Sequence, residues 1–439
     1  MKIGFLAMSG IRAHDARLLE LGLTLPGFVE RSRIVASLPS LGLLYLAART
    51  PEGHELRYFE SESLAADEPA LFACRLVAIS TFTAQVFEAY AIADRLRAGG
   101  VKVALGGLHV SVLPDEARAH ADYVVVGEGE NTWPAVVAAA ERNAPAATFR
   151  AEDFPPVDIA DLPVPRYDLL GSRPYNRYTV QTTRGCPWRC DFCASSVMLR
   201  APYRRRPVEH VVRDIQSVAA LHPNPFIEFA DDNTFVDKAW GRDLCRALAP
   251  LKVLWFTETD ISVADDPELI DLMREAGCRQ VLIGLESPTA APLSGVELHA
   301  DRKARWAGRY AAAIHAIQSR GVTVNACFIL GLDGQDAGVF REILDFVETA
   351  QPFDAQVTLL TPFPGTPLHD RLMREGRILR PGAWELCTLF DVNFQPAHFS
   401  PQDLREGIYW LAERLYSEEA TRRRRKGFFV QYHPEKHVA

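Results

Sequence analysis

Whatever fold this chain adopts, it has to bring Cys186, Cys190 and Cys193 to one place. Their spacings of three and then two residues, within Thr-Thr-Arg-Gly-Cys-Pro-Trp-Arg-Cys-Asp-Phe-Cys, let one short loop wrap an iron–sulfur cubane, with a thiolate for each of three iron corners. No fourth cysteine lies close by, so one iron is left open. An open iron beside a reducing cubane can chelate the amine and carboxylate of S-adenosylmethionine and cleave its sulfonium bond, the cofactors doing the chemistry. Two plainer readings compete. Zinc wants a fourth Cys or His at comparable spacing, and the next candidates, His210 and His222, fall in or beside a helical pattern. Inert buried thiols leave Gly185 and Pro187 without a purpose, because these mark a loop after the strand-like run Tyr178 to Thr183, where ligands are usually displayed.

The rest of the chain is organised in blocks around that loop. Over residues 1–145, apolar runs at Ile3 to Ala7, Leu76 to Ser80, Val101 to Leu105 and Tyr123 to Val126 alternate with helical segments such as Ala84 to Ala98. This predicts a doubly wound parallel sheet whose ligand crevice lies beyond the carboxyl ends of its strands. Polar and glycine signals fall there: Ser80, Thr81 and Thr83 after one strand, Gly106, Gly107 and His109 after the next, Gly127-Glu128-Gly129-Glu130 after the last. Glycines allow close backbone approach to a bulky ligand, and hydroxyls offer it hydrogen bonds. Residues 146–176 are proline-rich and read as an interdomain linker of restricted freedom.

From 177 to 370, strands at about 178–183, 225–230, 253–257, 280–284, 323–330 and 355–361 alternate with helices such as Val208 to Ala220 and Pro267 to Ala276. Six repeats predict a partial (β/α)6 barrel with its site at the strands' carboxyl ends. Asp231-Asp232-Asn233, Gly284-Leu285-Glu286-Ser287 and Gly331-Leu332-Asp333-Gly334 stand at those ends. A helical tail fills 371–439. Arg204, Arg205 and Arg206 are expected to pair with surface acids, and the basic run Arg422 to Lys426 to be a solvated helix end.

The cysteine loop is the signature of the radical S-adenosylmethionine superfamily, and residues 1–145 resemble the cobalamin-binding domain of its cobalamin-dependent members. The Ser/Thr set, the Gly-Gly pair and Gly-Glu-Gly-Glu carry that resemblance, with Leu38-Pro39-Ser40-Leu41-Gly42-Leu43-Leu44 similar to the segment that passes near the corrin. Thr361-Pro362-Phe363-Pro364-Gly365-Thr366-Pro367 and Trp384 to Asn393 resemble an extension in members that methylate or cyclise hopanoids and chlorophyll precursors. The resemblance implies a 4Fe–4S cluster on Cys186, Cys190 and Cys193, with S-adenosylmethionine and cobalamin as further cofactors. It places Phe192 on the adenine, Asp231 and Asp232 at the methionyl amine, and Glu286 with Ser287 near ribose or carboxylate. Ser80, Thr81, Thr83, Gly106, Gly107, His109, Gly127, Glu128 and Gly129 would hold cobalamin. Two departures stand out. Ser9-Gly10-Ile11-Arg12-Ala13-His14-Asp15 lacks the Asp-x-His-x-x-Gly order, so no protein histidine is expected on cobalt. The superfamily's Gly-Gly-Glu is replaced by Asp231-Asp232-Asn233, and either aspartate could instead cap the following turn.

Composition sets limits. Forty-eight basic against 56 acidic residues give a net charge of −8, without the basic footprint of a nucleic-acid surface. Eight cysteines, three of them clustered, fit a reducing cytoplasm better than a disulfide scaffold, and no apolar run is long enough to span a bilayer. The expected protein is a cytoplasmic radical enzyme, a methyltransferase acting on an unactivated carbon of a small or lipid-like substrate. A ferredoxin or flavodoxin would supply low-potential electrons. A radical cyclase or a redox sensor is the alternative.

Overall fold

The computed structural model describes residues 1–8, 10, 12–21, 38–173, 175–195 and 202–432. Ser9 and Ile11, part of the broken histidine motif, lie outside the described residues, as do residues 433–439 of the tail.

Strands β1 (Lys2–Ala7), β2 (Glu55–Glu60), β3 (Leu76–Ser80), β4 (Lys102–Gly106), β5 (Tyr123–Val126) and β6 (Ala147–Arg150) form one parallel sheet in the order β2-β1-β3-β4-β5-β6. The order reverses beside β1, which makes the crevice beyond the carboxyl ends of β1 and β3 the natural ligand site of such a sheet. The four interior strands have helices on both faces and are legible as apolar runs. The edge strands β2 and β6, Glu-Leu-Arg-Tyr-Phe-Glu and Ala-Thr-Phe-Arg, carry the polar residues that edges tolerate, and the apolar criterion missed both. The sheet therefore runs past residue 145. The proline-rich stretch after it is packed, with Val157, Ile159, Leu162, Tyr167 and Leu170 buried and the Tyr167 hydroxyl donating to the Thr179 carbonyl at 2.8 Å.

The second half adds β7 (Tyr178–Val180), β8 (Thr183–Arg184), β9 (Arg204–Arg205), β10 (Phe226–Phe229), β11 (Leu254–Glu258), β12 (Cys278–Glu286), β13 (Thr323–Leu330) and β14 (Asp354–Leu359). Six of them build an all-parallel sheet in the order β14-β13-β12-β11-β10-β7, with β7 and β14 as its edges, which is the expected partial barrel. The first predicted barrel strand is split. β7 stops at Val180, and β8 leaves the sheet to pair antiparallel with β9, so a small hairpin frames the cysteine loop.

That hairpin corrects the reading of the arginine run. Arg205 is exposed and pairs with Asp237, but Arg204 reaches back to Glu128 at 2.5 Å. Arg206 is fully buried against Asp214 at 2.5 Å and the Tyr45 hydroxyl at 2.8 Å. The C-terminal run is mixed as well. Arg422 and Arg423 pair on the surface with Glu418 and Glu348, while Arg424 is buried and donates to the Leu415 carbonyl at 2.7 Å. The tail helix Pro401–Leu415 meets the first half through Tyr409 and Asp15 at 2.5 Å and Arg17 and Glu413 at 2.9 Å. Because removing one member of a buried ion pair strands the other charge, Arg206→Met is expected to cost about 3–5 kcal/mol of stability, measured by urea unfolding. Arg205→Met is expected to change it by less than about 1 kcal/mol.

Candidate active site

The cysteine loop is tied down by the two aspartates at the carboxyl end of β10. Asp231 is buried and accepts four hydrogen bonds: from the Thr182 and Thr183 amides at 2.8 and 2.9 Å, from the Thr234 hydroxyl at 2.7 Å, and from the Thr182 hydroxyl. Burial pushes its carboxyl up, and these donors act against that. Asp232 spans the loop, accepting from the Gly185 amide at 2.9 Å just before Cys186 and from the Ser195 hydroxyl just after Cys193. Both residues therefore shape the loop, a role beside the one at the methionyl amine that the resemblance implies for them. All four acceptor sites of Asp231 are taken, three of them by Thr182 and Thr183 before the loop, whereas Asp232 accepts one bond on each oxygen.

Cys186 accepts a weak contact from the Asn233 amide at 3.9 Å, and Asn233 is itself fixed by Asp260 at 2.9 Å. Burial pushes the Cys186 thiol up to about 11, moderated by the Trp188 amide and Asn233. Cys190 is buried, and its thiol is pushed up to about 12 against the pull of Lys303. Cys193 raises both of the others through mutual charge repulsion, so it lies near each of them. A cubane takes one thiolate per iron and needs sulfurs around a volume. Ionising one buried and two half-buried thiols close together is unfavourable without a cationic centre, so this donor set fits an iron–sulfur cluster.

Glu286 ends β12 beyond a register shift and sits at φ +65, a backbone conformation that costs an ordinary residue about 1–3 kcal/mol. Its carboxylate accepts from Lys303 Nζ at 2.8 Å, and Lys303 also donates to the Gly284 carbonyl at 2.6 Å. Ser287 is buried beside it and Phe192 half-buried against the core. Lys303 was not legible beforehand, since it belongs to no spaced motif, and Asn233 was visible as part of Asp231-Asp232-Asn233 but not as a neighbour of Cys186. A second omission is Glu258, the last residue of β11. It faces the carboxylates of Glu228, Asp231, Asp232 and Glu286, and burial together with that repulsion pushes its carboxyl up to about 8. The side chain stands in the cleft at the mouth of the sheet, with protein packed around it and its open end reaching solvent, and its carboxylate has no side-chain hydrogen bond or ion pair among the described residues. Asp260, two residues on, is held down at about 2. Burial opposes ionisation there, but Arg302 and hydrogen bonds from Ser262, Asn233 and Trp188 outweigh it.

On the first sheet, a cavity of about 150 Å³ opens between β3, β4 and β5 and the helix Leu41–Ala48, lined by Ser80, Gly106, Gly107, Gly127, Gly129 and Glu130 among others. Gly107 is required: at φ +104, a Cβ would meet the Thr81 carbonyl at 2.4 Å. A cavity of this size has room for one aromatic group, so these residues would suit the nucleotide base of a cobalamin tail. Gly42 and Leu43, from the segment compared with the corrin-lining stretch, line the same cavity. Four expected ligands do not line it. Thr81 is buried with its hydroxyl on the Phe82 carbonyl. Thr83 faces a different cavity. His109 is wholly buried with Nε2 against Glu116 at 3.3 Å and its ring edge-on to Trp384. Glu128 is engaged by Arg184 at 2.6 Å and Arg204 at 2.5 Å. His14, in the loop of the broken motif, is exposed, and its amide donates to Asp391.

Because Asp231 organises the loop, Asp231→Ala is expected to lower cluster affinity by about 10- to 100-fold, read as iron and sulfide content after anaerobic reconstitution. Cys245→Ala, at a buried cysteine in the helix Lys238–Leu248, is expected to leave that content unchanged.

Residues 180–347 match the radical SAM superfamily and residues 31–137 the B12 binding domain. An uncharacterized methyltransferase of Synechocystis sp. is 30% identical over 82% of this chain and 67% of its own length. A bacteriochlorophyllide d C-12(1)-methyltransferase of Chlorobaculum tepidum is 25% identical over 80% of this chain and 77% of its own. The fold is similar to that of TsrM, a radical S-adenosylmethionine methyltransferase from Kitasatospora setae solved with cobalamin and a 4Fe–4S cluster, at a TM-score of 0.70 over 95% of this chain and 89% of that one, with 16% identity. The two domain matches in this order, and a relative of 30% identity along two thirds of its length, make the chain a member of the cobalamin-dependent radical S-adenosylmethionine enzymes.

Proposed function

We propose that the protein moves a methyl group from S-adenosylmethionine, by way of cobalamin, to an unactivated carbon of a small or lipid-like substrate. One observation carries this reading. A chamber of about 260 Å³ lies where the two sheets' carboxyl ends meet, walled by Phe82 and Thr83 after β3, Leu108 after β4, Ala194 next to Cys193, and Phe363 and Leu389 of the extension. Leu389 is held at φ +70, which is strain of the kind found at ligand sites. A mostly apolar chamber between two cofactor sites suits a carbon skeleton that offers no nucleophile and must be kept from water.

With the cofactors bound, the cluster supplies an electron for cleaving S-adenosylmethionine and the corrin carries the methyl group. The chain's own residues do the rest. Cys186, Cys190 and Cys193 hold the cluster, and Asp231 and Asp232 hold their loop. Phe192 packs on the adenine, and Glu286, oriented by Lys303, accepts from the ribose with Ser287 beside it. With every acceptor site of Asp231 taken, Glu258 is assigned to the cationic methionyl end together with Asp232, which keeps acceptor sites free. The glycine-lined cavity takes the cobalamin tail, with no histidine from the chain on cobalt. We assign the low-potential electron to a ferredoxin or flavodoxin in the cytoplasm. No helix among the described residues is long and apolar enough to cross a membrane.

Turnover is expected to give S-adenosylhomocysteine and 5′-deoxyadenosine in equal amounts, and to move label from the S-methyl group into product, followed by mass spectrometry. A cyclase would form 5′-deoxyadenosine without labelled product. Glu258, with its carboxyl raised to about 8, is mostly protonated at pH 7. A bound cation favours the ionised form, so S-adenosylmethionine should displace a proton, its affinity rising from pH 6 and levelling off above pH about 8. Calorimetry in buffers of different ionisation enthalpy should show that proton release, and Glu258→Gln should abolish its share.

A further inference from the structure

The Gly-Glu-Gly-Glu segment does two jobs with alternate residues. Gly127 and Gly129 form part of the wall of the tail cavity, and the carboxylates between and after them reach across to arginines of the second half. Glu128 binds Arg184 Nη1 at 2.6 Å and Arg204 Nη2 at 2.5 Å, and Glu130, which also lines the cavity, binds Arg184 Nη2 at 2.7 Å. Gln181 completes the setting by accepting from Arg184 Nη2 at 2.8 Å. Arg184 forms β8 with Thr183, pairs through its backbone with Arg204, and is followed directly by Gly185 and Cys186. Arg204 is pinned in turn by the Val157 carbonyl at 2.7 Å. Two guanidinium groups and two carboxylates thus share one largely buried network whose ends are the cavity wall and the first cluster ligand.

Charge-assisted, multidentate bonds in a low-dielectric setting are short and directional. A planar guanidinium fixed by three side chains has little freedom to relax when one of them shifts. The segment Gly127 to Glu130 lines the cavity on one side and holds Arg184 on the other. We propose that Arg184 is a positioning residue that couples cobalamin binding to the cluster loop, so that each cofactor raises the protein's affinity for the other. This rests on reading the cavity as the tail site and the cysteine loop as the cluster site.

Linkage requires the coupling to be reciprocal, and couplings of this kind usually amount to 5- to 150-fold. The test is a cycle in the full-length protein. The dissociation constant for hydroxocobalamin is measured by absorbance titration with the cluster reconstituted, and again in a variant with Cys186, Cys190 and Cys193 all changed to Ala. The wild-type cysteine set is expected to bind cobalamin about tenfold more tightly. Arg184→Met should bring that ratio close to one. Arg184→Lys keeps the charge but not the fork, and should restore only part of it. If Arg184→Met folds poorly because Glu128 and Glu130 are stranded, adding Glu128→Gln and Glu130→Gln removes those charges, and the ratio should again be close to one. A tenfold ratio that persists without Arg184, or a wild-type ratio of one with both cofactors bound, would overturn the coupling alone. Failure of the wild-type protein to bind cobalamin or form the cluster would overturn the underlying site reading with it.

Discussion

Three thiols close enough to serve one cluster repel one another once ionised, and the loop that carries them will spread unless something stiffer holds it. Asp231 and Asp232 supply that stiffness. The first gathers the amides and hydroxyl where β7 gives way to the loop, and the second bridges Gly185 and Ser195 across it. A carboxylate receiving several donors is among the firmest anchors a protein interior offers. Everything downstream depends on it: the hairpin β8–β9, the arginines it displays, and the alignment of the cysteine loop with the mouth of the second sheet.

The architecture was legible because parallel strands buried on both faces write themselves as apolar runs, and because glycine and polar residues cluster where such strands end. The edge strands β2 and β6 escaped notice for the converse reason. The cysteine loop was legible from spacing alone. The surrounding carboxylates were visible as residues, but not in their roles. A sequence shows that Asp231 and Glu128 stand at strand ends, yet only packing shows that Thr182 and Thr183 turn toward one and that Arg184 and Arg204 reach the other. Lys303 and Glu258 follow no motif, and their importance arises from neighbours distant in the chain. The arginine run was misjudged because charge density suggests solvent, whereas hairpin alternation points Arg205 outward and draws its neighbours in.

The mouth of the second sheet is acidic. Glu228, Glu258, Asp231, Asp232 and Glu286 share it, and of these Glu228 is paired with Arg177 and Glu286 with Lys303. Such a field attracts a cationic cosubstrate and, by the same token, raises the energy of an empty site. The two pairings and the loop-bound aspartates leave Glu258 as the point where that imbalance is concentrated.

The contact between the two halves is built from paired, non-interchangeable parts. Gly365 of the extension, at φ +80, lies so close to Val112 that a Cβ would fall 2.5 Å from its side chain, and Trp384 donates to Glu116 at 3.2 Å. Together with the arginine network, these contacts join each half to the other at several points far apart in sequence. A hybrid that took its first 145 residues from another member of the family would inherit half of every one of them. The fold is modular when drawn as a diagram, but the working unit is the seam, and domain exchange between relatives should succeed only where the seam is exchanged with it.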